Sequence, residues 1–307
     1  MGSPPSVAVV VLDWNGGEET LACLEAVRAS TGVAPRVFLI DNASRTPILA
    51  EAERLFPELV VHRNERNLGY AGGNNVGLRL ALEAGADFVV VLNNDAEVRP
   101  DAIAGLVAAA SADDRIAAVG ARVLRREDPA RLWMAWGELT YRQSLVRLVG
   151  EGAQDGPEWL VERDVPWVSG CAVLLTRSAL ERIGPFDEEY FAYHEEVDWC
   201  ARAREAGLRV VYAPRAAVLH SGEGSSGGGR YVSRKQYLVA RNMVRFVRDH
   251  GSALERIRFT TFLVATLPFQ YLRRLLSGEQ RGVWLKIRGV VDALLGRPIP
   301  RADLGLD

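Results

Sequence analysis

An acidic side chain follows a run of strand-forming residues in the N-terminal third of the chain. Residues 89–92 are all β-formers, and Asn93, Asn94 and Asp95 come directly after them. Ligands of open parallel α/β sheets bind outside the carboxyl ends of the strands, so a carboxylate at this position can hold a metal ion against a phosphate. The alternative is a buried strand that ends in an ordinary Asn/Asp turn.

A second acid, Asp41, ends another predicted strand at residues 37–40. Because parallel strands end at the same edge of a sheet, Asp41 and Asp95 are expected to share one rim. A carboxylate there can accept hydrogen bonds from a nucleotide base or a ribose hydroxyl. The alternative is that Asp41 caps the next helix.

Residues 67–77 contain four glycines that open a helix, at positions 69, 72, 73 and 77. Glycine allows the backbone to come close to a phosphate or a sugar. The spacing is not G-x-G-x-x-G, and Asp41 precedes the glycines instead of following them. A dinucleotide-binding dehydrogenase is therefore disfavoured.

The densest group of ionisable residues is His194, Glu195, Glu196 and Asp198. Acids crowded among aromatic residues fit a general base whose pKa is raised by burial and by neighbouring charge. The alternative is a solvated helix start, since the N-terminal end of a helix attracts acidic side chains. His220, at a predicted strand end, is either a metal ligand or a structural histidine.

Strand and helix patterns alternate along the chain, which predicts an α/β fold with a mostly parallel sheet flanked by helices. The predicted strands are residues 7–12, 37–40, 59–62, 88–92, 117–123, 168–176, 209–212 and 217–219. The predicted helices are residues 18–29, 48–56, 76–84, 100–111, 178–183 and 197–206, and further helices follow towards the C-terminus.

Two segments have no firm periodicity. Residues 125–165 are expected to form short strands and a mobile loop, and their aromatic residues either form an acceptor pocket or close a core. These residues are Trp133, Trp136, Tyr141 and Trp159. The glycine- and serine-rich run at 221–230 is either a linker or a loop that closes over a ligand.

Composition excludes several classes of protein. The 307 residues are 48% hydrophobic, which allows a large core, and the formal charge of −2 argues against a nucleic-acid binder. Cys23, Cys171 and Cys200 are expected to be buried thiols in a reducing compartment, without a zinc site. Neither a signal peptide nor a spanning helix is recognised, so we expect a cytoplasmic protein.

The C-terminal segment differs in charge from the rest of the chain. Residues 252–301 carry nine Lys/Arg and three Asp/Glu, a local +6 that leaves −8 for the remainder. Basic and apolar residues on helices suit peripheral contact with the inner face of an anionic plasma membrane. The alternative is an amphipathic helix pair packed on the main domain or across a homodimer. We divide the chain into a domain at 1–250 and a basic amphipathic helical extension at 251–307.

Eight short segments, taken in order, resemble the motifs of glycosyltransferase family 2, especially its bacterial rhamnosyltransferase-like branch. They are residues 11–16, 40–44, 67–77, 92–95, 167–171, 184–188, 193–198 and 214–220. The resemblance implies the GT-A fold for residues 1–250 and an inverting glycosyltransferase. Such an enzyme moves a sugar, here with rhamnose as first candidate, from a nucleotide-diphosphate sugar donor to a glycan or lipid-linked acceptor in cell-surface polysaccharide or glycolipid synthesis. Mg²⁺ or Mn²⁺ is the implied cofactor.

The same resemblance implies roles for individual residues. Glu196 is the general base, with Glu195 as the alternative; Asp95 and His220 hold the metal ion. Nucleotide-sugar-binding positions are Asp13, Asn15, Asp41, Asn67, Gly72, Asn75, Asn93, Asn94, Asp95, Trp167 and Gly170. Two positions depart from the family's pattern. Asn93-Asn94-Asp95 leaves one acid for the ion, and Glu195-Glu196 replaces the usual Glu-Asp pair, which lengthens the base by a methylene.

The implied mechanism is a single displacement. Glu196 takes the proton of an acceptor hydroxyl, which attacks the anomeric carbon from the face opposite the leaving nucleoside diphosphate. The metal ion offsets the charge that grows on the diphosphate. One alternative is a non-catalytic nucleotide-sugar-binding protein on the same fold, which the missing acid favours. The other is a nucleotidyltransferase, although the first strand lacks a Gly-rich triphosphate loop beside it.

Overall fold

A computed structural model describes residues 5–142, 144–221, 234–276 and 279–306. The strands are β1 (Val7–Asp13), β2 (Arg36–Asp41), β3 (Val60–Arg63), β4 (Phe88–Asn93), β5 (Ala96–Val98), β6 (Ile116–Arg125), β7 (Leu132–Met134), β8 (Trp136–Leu139), β9 (Val146–Val149), β10 (Arg163–Asp164), β11 (Ala172–Thr176) and β12 (Arg209–His220). The helices are α1 (Glu18–Arg28), α2 (Leu49–Leu55), α3 (Gly69–Glu83), α4 (Ala102–Ala110), α5 (Arg177–Ile183), α6 (Glu195–Glu205), α7 (Lys235–His250), α8 (Ala253–Leu276) and α9 (Gln280–Leu294).

Ten of the described strands form one sheet in the order β10-β12-β6-β11-β4-β1-β2-β3, with β5 on β12 and β7 on β6. β1 runs parallel to β2 and β4, β2 is parallel to β3, and β6 is parallel to β12. β11 lies antiparallel between β4 and β6. The register places Asp13 beside Asp41 and Leu12 beside Asn93. The predicted mostly parallel sheet is confirmed, and its polar strand ends meet at one edge.

Helices cover both faces of the sheet, which explains the uninterrupted apolar runs of its strands. Along β1, Val9 and Val11 face one hydrophobic cluster with α1, α2 and α4, whereas Val10 and Leu12 face a second cluster with α3, α5, α6 and α7. At Gly77 of α3, an added Cβ would lie 2.2 Å from Cγ1 of Val10. Glycine therefore allows α3 to pack closely on the strand.

Several predicted boundaries were wrong. Helix α3 begins at Gly69 rather than at residue 76, because close packing of its glycines on β1 outweighs their low helix propensity. The two strands predicted at 209–219 are one strand, β12, in which a register shift between Ala213 and Ala217 accommodates Pro214. Strand β11 begins at residue 172 rather than at 168, and α6 begins two residues before its predicted start.

The other segments mostly follow the prediction. Residues 125–165 contain the short strands β7, β8, β9 and β10. Cys23, Cys171 and Cys200 are free and buried. Within the described ranges, none of the helices has the length and apolar character needed to cross a bilayer. The glycine-rich run predicted as a linker or closing loop lies outside the described residues, apart from Ser221.

The C-terminal helices pack on α7. Gly289 of α9 lies so close to α7 that an added Cβ would be 2.4 Å from the main-chain oxygen of Tyr237. The Tyr237 hydroxyl donates to Asp292 over 3.0 Å. The predicted boundary at residue 250 coincides with the end of α7, and two residues separate it from α8. The division into two domains stays a prediction.

Candidate active site

A cavity of about 440 Å³ lies at the carboxyl edge of the sheet. It is lined by residues from the ends of β1 to β4, the segment before β11, the start of α6 and the end of β12. Nine of the predicted site residues line it, namely Asn67, Asn93, Asn94, Asp95, Trp167, Gly170, Glu195, Glu196 and His220. Parts of the chain that are far apart in sequence thus converge on one cavity.

The metal-binding residues predicted from sequence lie in contact with each other. Nε2 of His220 is 3.2 Å from Oδ1 of Asp95, and both side chains are buried. The Ser221 hydroxyl donates to Oδ2 of Asp95 over 3.1 Å, and Trp133 packs edge-on against the His220 ring at 4.8 Å between centroids. Burial opposes ionisation of Asp95, but the hydrogen bond and charge of His220 and the bond from Ser221 lower its pKa below the ordinary value. Asp95 is therefore a carboxylate at neutral pH.

The atoms around Asp95 fit a divalent ion. Nδ1 of His220 and Oδ1 of Asn93 are buried without a hydrogen-bond partner among the described residues. Carboxylate, amide oxygen and imidazole together suit Mg²⁺ or Mn²⁺. The described residues contain no group of three or more His, Cys, Asp or Glu side chains placed to hold a metal. Diphosphate oxygens and water would therefore complete the coordination, as is usual for Mg²⁺.

Glu195 and Glu196 begin α6 and line the same cavity. Oε2 of each is buried and has no hydrogen-bond partner in the described part of the chain. Gly170 lies beside Glu196, since an added Cβ there would be 3.6 Å from Cβ of Glu196. The Tyr70 hydroxyl donates to the main-chain oxygen of Gly170 over 2.7 Å. A small polar recess thus surrounds two acids.

The two acids differ in their proton affinity. Burial raises the pKa of Glu196 from 4.5 to about 7, although main-chain N–H groups and the hydrogen bond with Glu195 oppose this rise. Burial, the neighbouring charge of Glu196 and the same hydrogen bond raise the pKa of Glu195 well above its ordinary value. Near pH 7 the pair therefore shares at least one proton, and its higher proton affinity lies on the side of Glu195.

The backbone before α6 is strained. Phe191, Tyr193 and His194 all have positive φ angles, of 60°, 72° and 71°. Such conformations are costly for residues other than glycine and persist where the surroundings fix them. The buried amide of Asn242 on α7 does so, because its Nδ2 donates to the main-chain oxygens of Tyr190, Ala192 and Tyr193 at 2.9, 2.9 and 2.7 Å. Helix α7 therefore positions the two glutamates.

Asp13, a predicted donor-binding residue, does not line the cavity. Its Oδ1 accepts hydrogen bonds from the Gly16 amide at 3.0 Å, the Thr20 hydroxyl at 2.6 Å and the Asn94 side chain at 3.2 Å. Its Oδ2 accepts from the Ser44 hydroxyl at 3.1 Å. The hydrogen bond from Asn94 thus lets Asp13 hold the Asn94 side chain in place. The contact of Asp13 with the donor stays a prediction.

Asp41 and Asn15 also lie outside the cavity lining. Oδ1 of Asp41 accepts from the Ser44 amide at 3.0 Å, and Oδ2 lies 3.2 Å from Nη1 of Arg63. Asp41 closes this turn and does not cap α2, so the capping alternative was wrong. Asn15 is exposed and accepts a hydrogen bond from the Arg45 amide at 2.8 Å. The base contact of Asp41 stays a prediction.

Gly72 and Asn75 lie on α3 away from the cavity lining. Asn75 exchanges two hydrogen bonds with the backbone of Phe186, at 2.9 and 3.0 Å, and donates to Glu188 at 3.1 Å. An added Cβ at Gly72 would lie 3.0 Å from Cβ of Leu68. Both residues therefore connect α3 tightly to its surroundings, and their donor contacts stay predictions.

Several cavity residues were not predicted. Trp14 and Asn42 follow β1 and β2, and Tyr70 begins α3. Arg234 and Lys235, at the start of α7, are cations that also line the cavity. A basic pair four residues after the glycine- and serine-rich run was a usable signal, because a diphosphate needs positive charge. Tyr70 offered no such signal, since its role depends on a contact with a residue 100 positions away.

Comparison with known proteins identifies the family. The model of Glycosyl transferase family 2 matches residues 8–184. The chain is 31% identical over 242 residues to an N-acetylglucosaminyl-diphospho-decaprenol L-rhamnosyltransferase of Mycobacterium tuberculosis, which covers 71% of this chain and 77% of that protein. It is 27% identical over 296 residues to the low-salt glycan biosynthesis hexosyltransferase Agl10 of Haloferax volcanii. This similarity covers 95% of this chain and 92% of that protein.

A solved structure supports the fold. The mannosyltransferase PcManGT from Pyrobaculum calidifontis, in complex with GDP-Man and Mn²⁺, is similar with a TM-score of 0.55 and 18% sequence identity. The similarity covers 96% of this chain and 88% of that one. The fold is therefore GT-A. The chain belongs to glycosyltransferase family 2 and is an inverting glycosyltransferase that uses a nucleotide sugar.

Proposed function

We propose that this protein transfers rhamnose from a nucleotide-diphosphate sugar to a hydroxyl group of a lipid-linked acceptor, with Glu196 as general base. The observation that carries the proposal is that two acidic centres, supplied by different elements of the fold, line one cavity. Asp95 with His220 forms one centre, and Glu196 with Glu195 forms the other. An inverting transfer needs two such centres, one for the nucleophile and one for the leaving group, because these lie on opposite sides of the anomeric carbon.

The protonation states of Glu195 and Glu196 support their proposed roles. Glu196 has a pKa of about 7, so an appreciable fraction is carboxylate at neutral pH and can accept the proton of the acceptor hydroxyl. Glu195 keeps its proton and donates it in a hydrogen bond to Glu196. That bond orients the base within the cavity. The strained turn before α6, which Asn242 fixes, prevents the pair from moving away from the substrate.

Asp95 and His220 are the proposed metal ligands, and the amide of Asn93 lines the same cavity. A bound Mg²⁺ or Mn²⁺ would neutralise the charge that develops on the leaving diphosphate. Arg234 and Lys235 line the same cavity and add positive charge for the diphosphate. Metal dependence is supported by the chemistry of these ligands and by the Mn²⁺ in the structure of the mannosyltransferase.

The proposed donor and acceptor follow from the relatives. The mycobacterial relative is named as an L-rhamnosyltransferase acting on a diphospho-decaprenol lipid, and another relative, from Shigella flexneri, is named as a dTDP-rhamnosyl transferase. We therefore infer dTDP-rhamnose as donor. Trp133 and Trp167 in the cavity offer apolar faces on which a sugar ring can pack.

Two experiments test this function. A thermal-shift panel of dTDP-, UDP- and GDP-sugars, each with and without Mn²⁺, should show the largest stabilisation with dTDP-rhamnose and Mn²⁺. The wild type should then release dTDP only when a polyprenyl-diphosphate sugar is present. Binding without release would support the non-catalytic alternative. In Asp95→Ala, the Mn²⁺-dependent part of the stabilisation should disappear; a variant that keeps it would remove Asp95 from the metal site.

The surface of α8 supports peripheral contact with an anionic membrane. Leu254, Ile257, Val264, Phe269 and Leu272 are between 61% and 75% exposed. Exposed arginines lie on the same helix, at positions 256, 258 and 273. An exposed apolar helix face with flanking basic residues suits the inner face of a membrane, where a lipid-linked acceptor would be reached.

Liposome flotation tests the membrane contact. Wild-type protein should float with vesicles that contain phosphatidylglycerol and less with pure phosphatidylcholine. The double variant Ile257→Glu/Val264→Glu should lose this binding. Leu160→Glu/Val161→Glu is a matched control, because it changes two exposed apolar residues elsewhere on the protein. If the α8 variant instead converts a dimer into a monomer and flotation is unchanged, the face serves a homodimer.

A further inference from the structure

The C-terminal tail, residues 297–306, returns to the cavity after α9 and forms part of its wall. Leu306 lines the cavity. Its side chain is 3% exposed and packs in a hydrophobic cluster with Phe191, Tyr237 and Leu238. These partners come from the turn before α6 and from α7. A residue near the end of the chain therefore belongs to the same cavity as the first strands.

Two arginines fix the tail against the cavity. Arg301 donates to the main-chain oxygen of Asn67, and its guanidinium lies over the Phe191 ring at 5.2 Å. Arg234 donates to the main-chain oxygen of Gly305 over 2.7 Å and lies over the Trp14 ring at 4.8 Å. Each arginine thus joins the tail to a cavity residue by a hydrogen bond and a cation–π contact.

The contacts of the two arginines join the tail to residues that follow β1 and β3, namely Trp14 and Asn67. Trp14, Asn42 and Asn67 line the cavity and follow β1, β2 and β3. Asp95 and Glu196, the proposed metal ligand and the proposed base, line the region of the cavity in which the sugar would be transferred. Because nucleotides bind across the carboxyl ends of parallel strands, the end beside β1 to β3 is the place for the nucleoside.

We propose that the C-terminal tail forms the outer wall of the nucleoside subsite, with Leu306 as a binding residue and Arg301 as a positioning residue. This inference rests on the proposed nucleotide-sugar donor and adds a specificity element to it. Leu306 closes the subsite with an apolar side chain. Arg301 holds the backbone at Asn67 and the ring of Phe191 in place. Leu306 and Arg301 contact Phe191, in the turn before α6, as well as the donor end of the cavity, so we expect their loss to weaken donor binding more than it lowers kcat.

The test uses dTDP, with UDP and GDP as further probes, in titration calorimetry on the chain of residues 1–307. Leu306→Ala and Arg301→Gln should each weaken dTDP binding about tenfold, since a lost wall contact in a pocket has about this effect. The KM for the donor should rise equally, and kcat should fall by less than the donor affinity does. Asp303→Asn is the matched control on the same tail, because Asp303 is exposed and pairs with Arg288 at 2.8 Å. It should bind dTDP like the wild type.

The outcomes separate this inference from the proposed function. If the wild type binds dTDP and both tail variants bind it equally well, the tail is not part of the subsite. If the variants bind it more tightly, the tail occludes the subsite, and the inference is equally overturned. The melting temperature of the ligand-free variants shows whether a loss of binding is a loss of folding. A wild type that binds no nucleoside diphosphate would contradict the proposed function as well.

Discussion

Replacing the proposed base should stabilise the protein while it abolishes activity. The pKa of Glu196 is raised by burial from 4.5 in the unfolded chain to about 7 in the folded protein. The folded state binds the proton of Glu196 more tightly than the unfolded chain does. The contribution of Glu196 to the free energy of unfolding is therefore largest below pH 4.5, and it is lost as the pH rises to about 7. The pKa difference of about 2.5 between the folded and the unfolded state corresponds to roughly 3 kcal/mol of folding stability, which is lost above pH 7. Glu196→Gln removes this loss, since glutamine does not ionise.

Urea unfolding of the wild type and Glu196→Gln at two pH values measures this effect. The variant should be more stable by roughly 3 kcal/mol at pH 8 and by less than about 1 kcal/mol at pH 5. Glu83→Gln is the control, because it removes an exposed carboxylate paired with Arg79 and should change stability by under about 0.5 kcal/mol at both pH values. An equal gain at both pH values, or no gain at pH 8, would refute a raised pKa at Glu196.

Three further predictions follow from the site. Since Glu196 must be ionised, kcat should rise about tenfold per pH unit below pH 7 and level off above it; a flat profile from pH 5 to 8 would contradict the assignment. Asn242→Leu removes three hydrogen bonds to the strained turn and should lower kcat at least about tenfold in steady-state assays, whereas unchanged kcat would show that the turn holds without it. Gly137→Ala would place a Cβ 1.7 Å from the Trp167 ring, so urea unfolding should show a loss of about 3 kcal/mol or more, and wild-type stability would mean that the ring can move aside.

The local chemistry of the strand ends could be predicted from sequence. Residues 89–92 had to form a buried strand, and Asp95 had to follow it at the edge of the sheet. The contact between Asp95 and His220 was not derivable from composition or periodicity, because 125 positions separate them and β12 reaches β5 only in the folded sheet. The resemblance to family motifs named both residues. The structure adds the distance of 3.2 Å.

Other features depended on tertiary packing. The glycines at 69–77 were expected to open a helix, with regular periodicity only from residue 76, yet the helix already begins at Gly69, because Gly73 and Gly77 pack directly on β1. Asp41 was expected to contact a base or cap a helix, and its turn onto Ser44 with Arg63 nearby had no signal in local sequence. The return of Leu306 to the cavity could not be foreseen, since it requires the packing of α9 on α7.

The central claim, that Glu196 is the base of an inverting sugar transfer, is tested most directly by comparing Glu196→Gln with Glu195→Gln. For each variant, kcat for dTDP release in the presence of acceptor is measured beside the affinity for dTDP. Glu196→Gln should lose at least about 100-fold in kcat with unchanged affinity, whereas Glu195→Gln, whose amide can still donate to Glu196, should keep much of the activity. Transfer by Glu196→Gln at close to the wild-type rate would contradict the account.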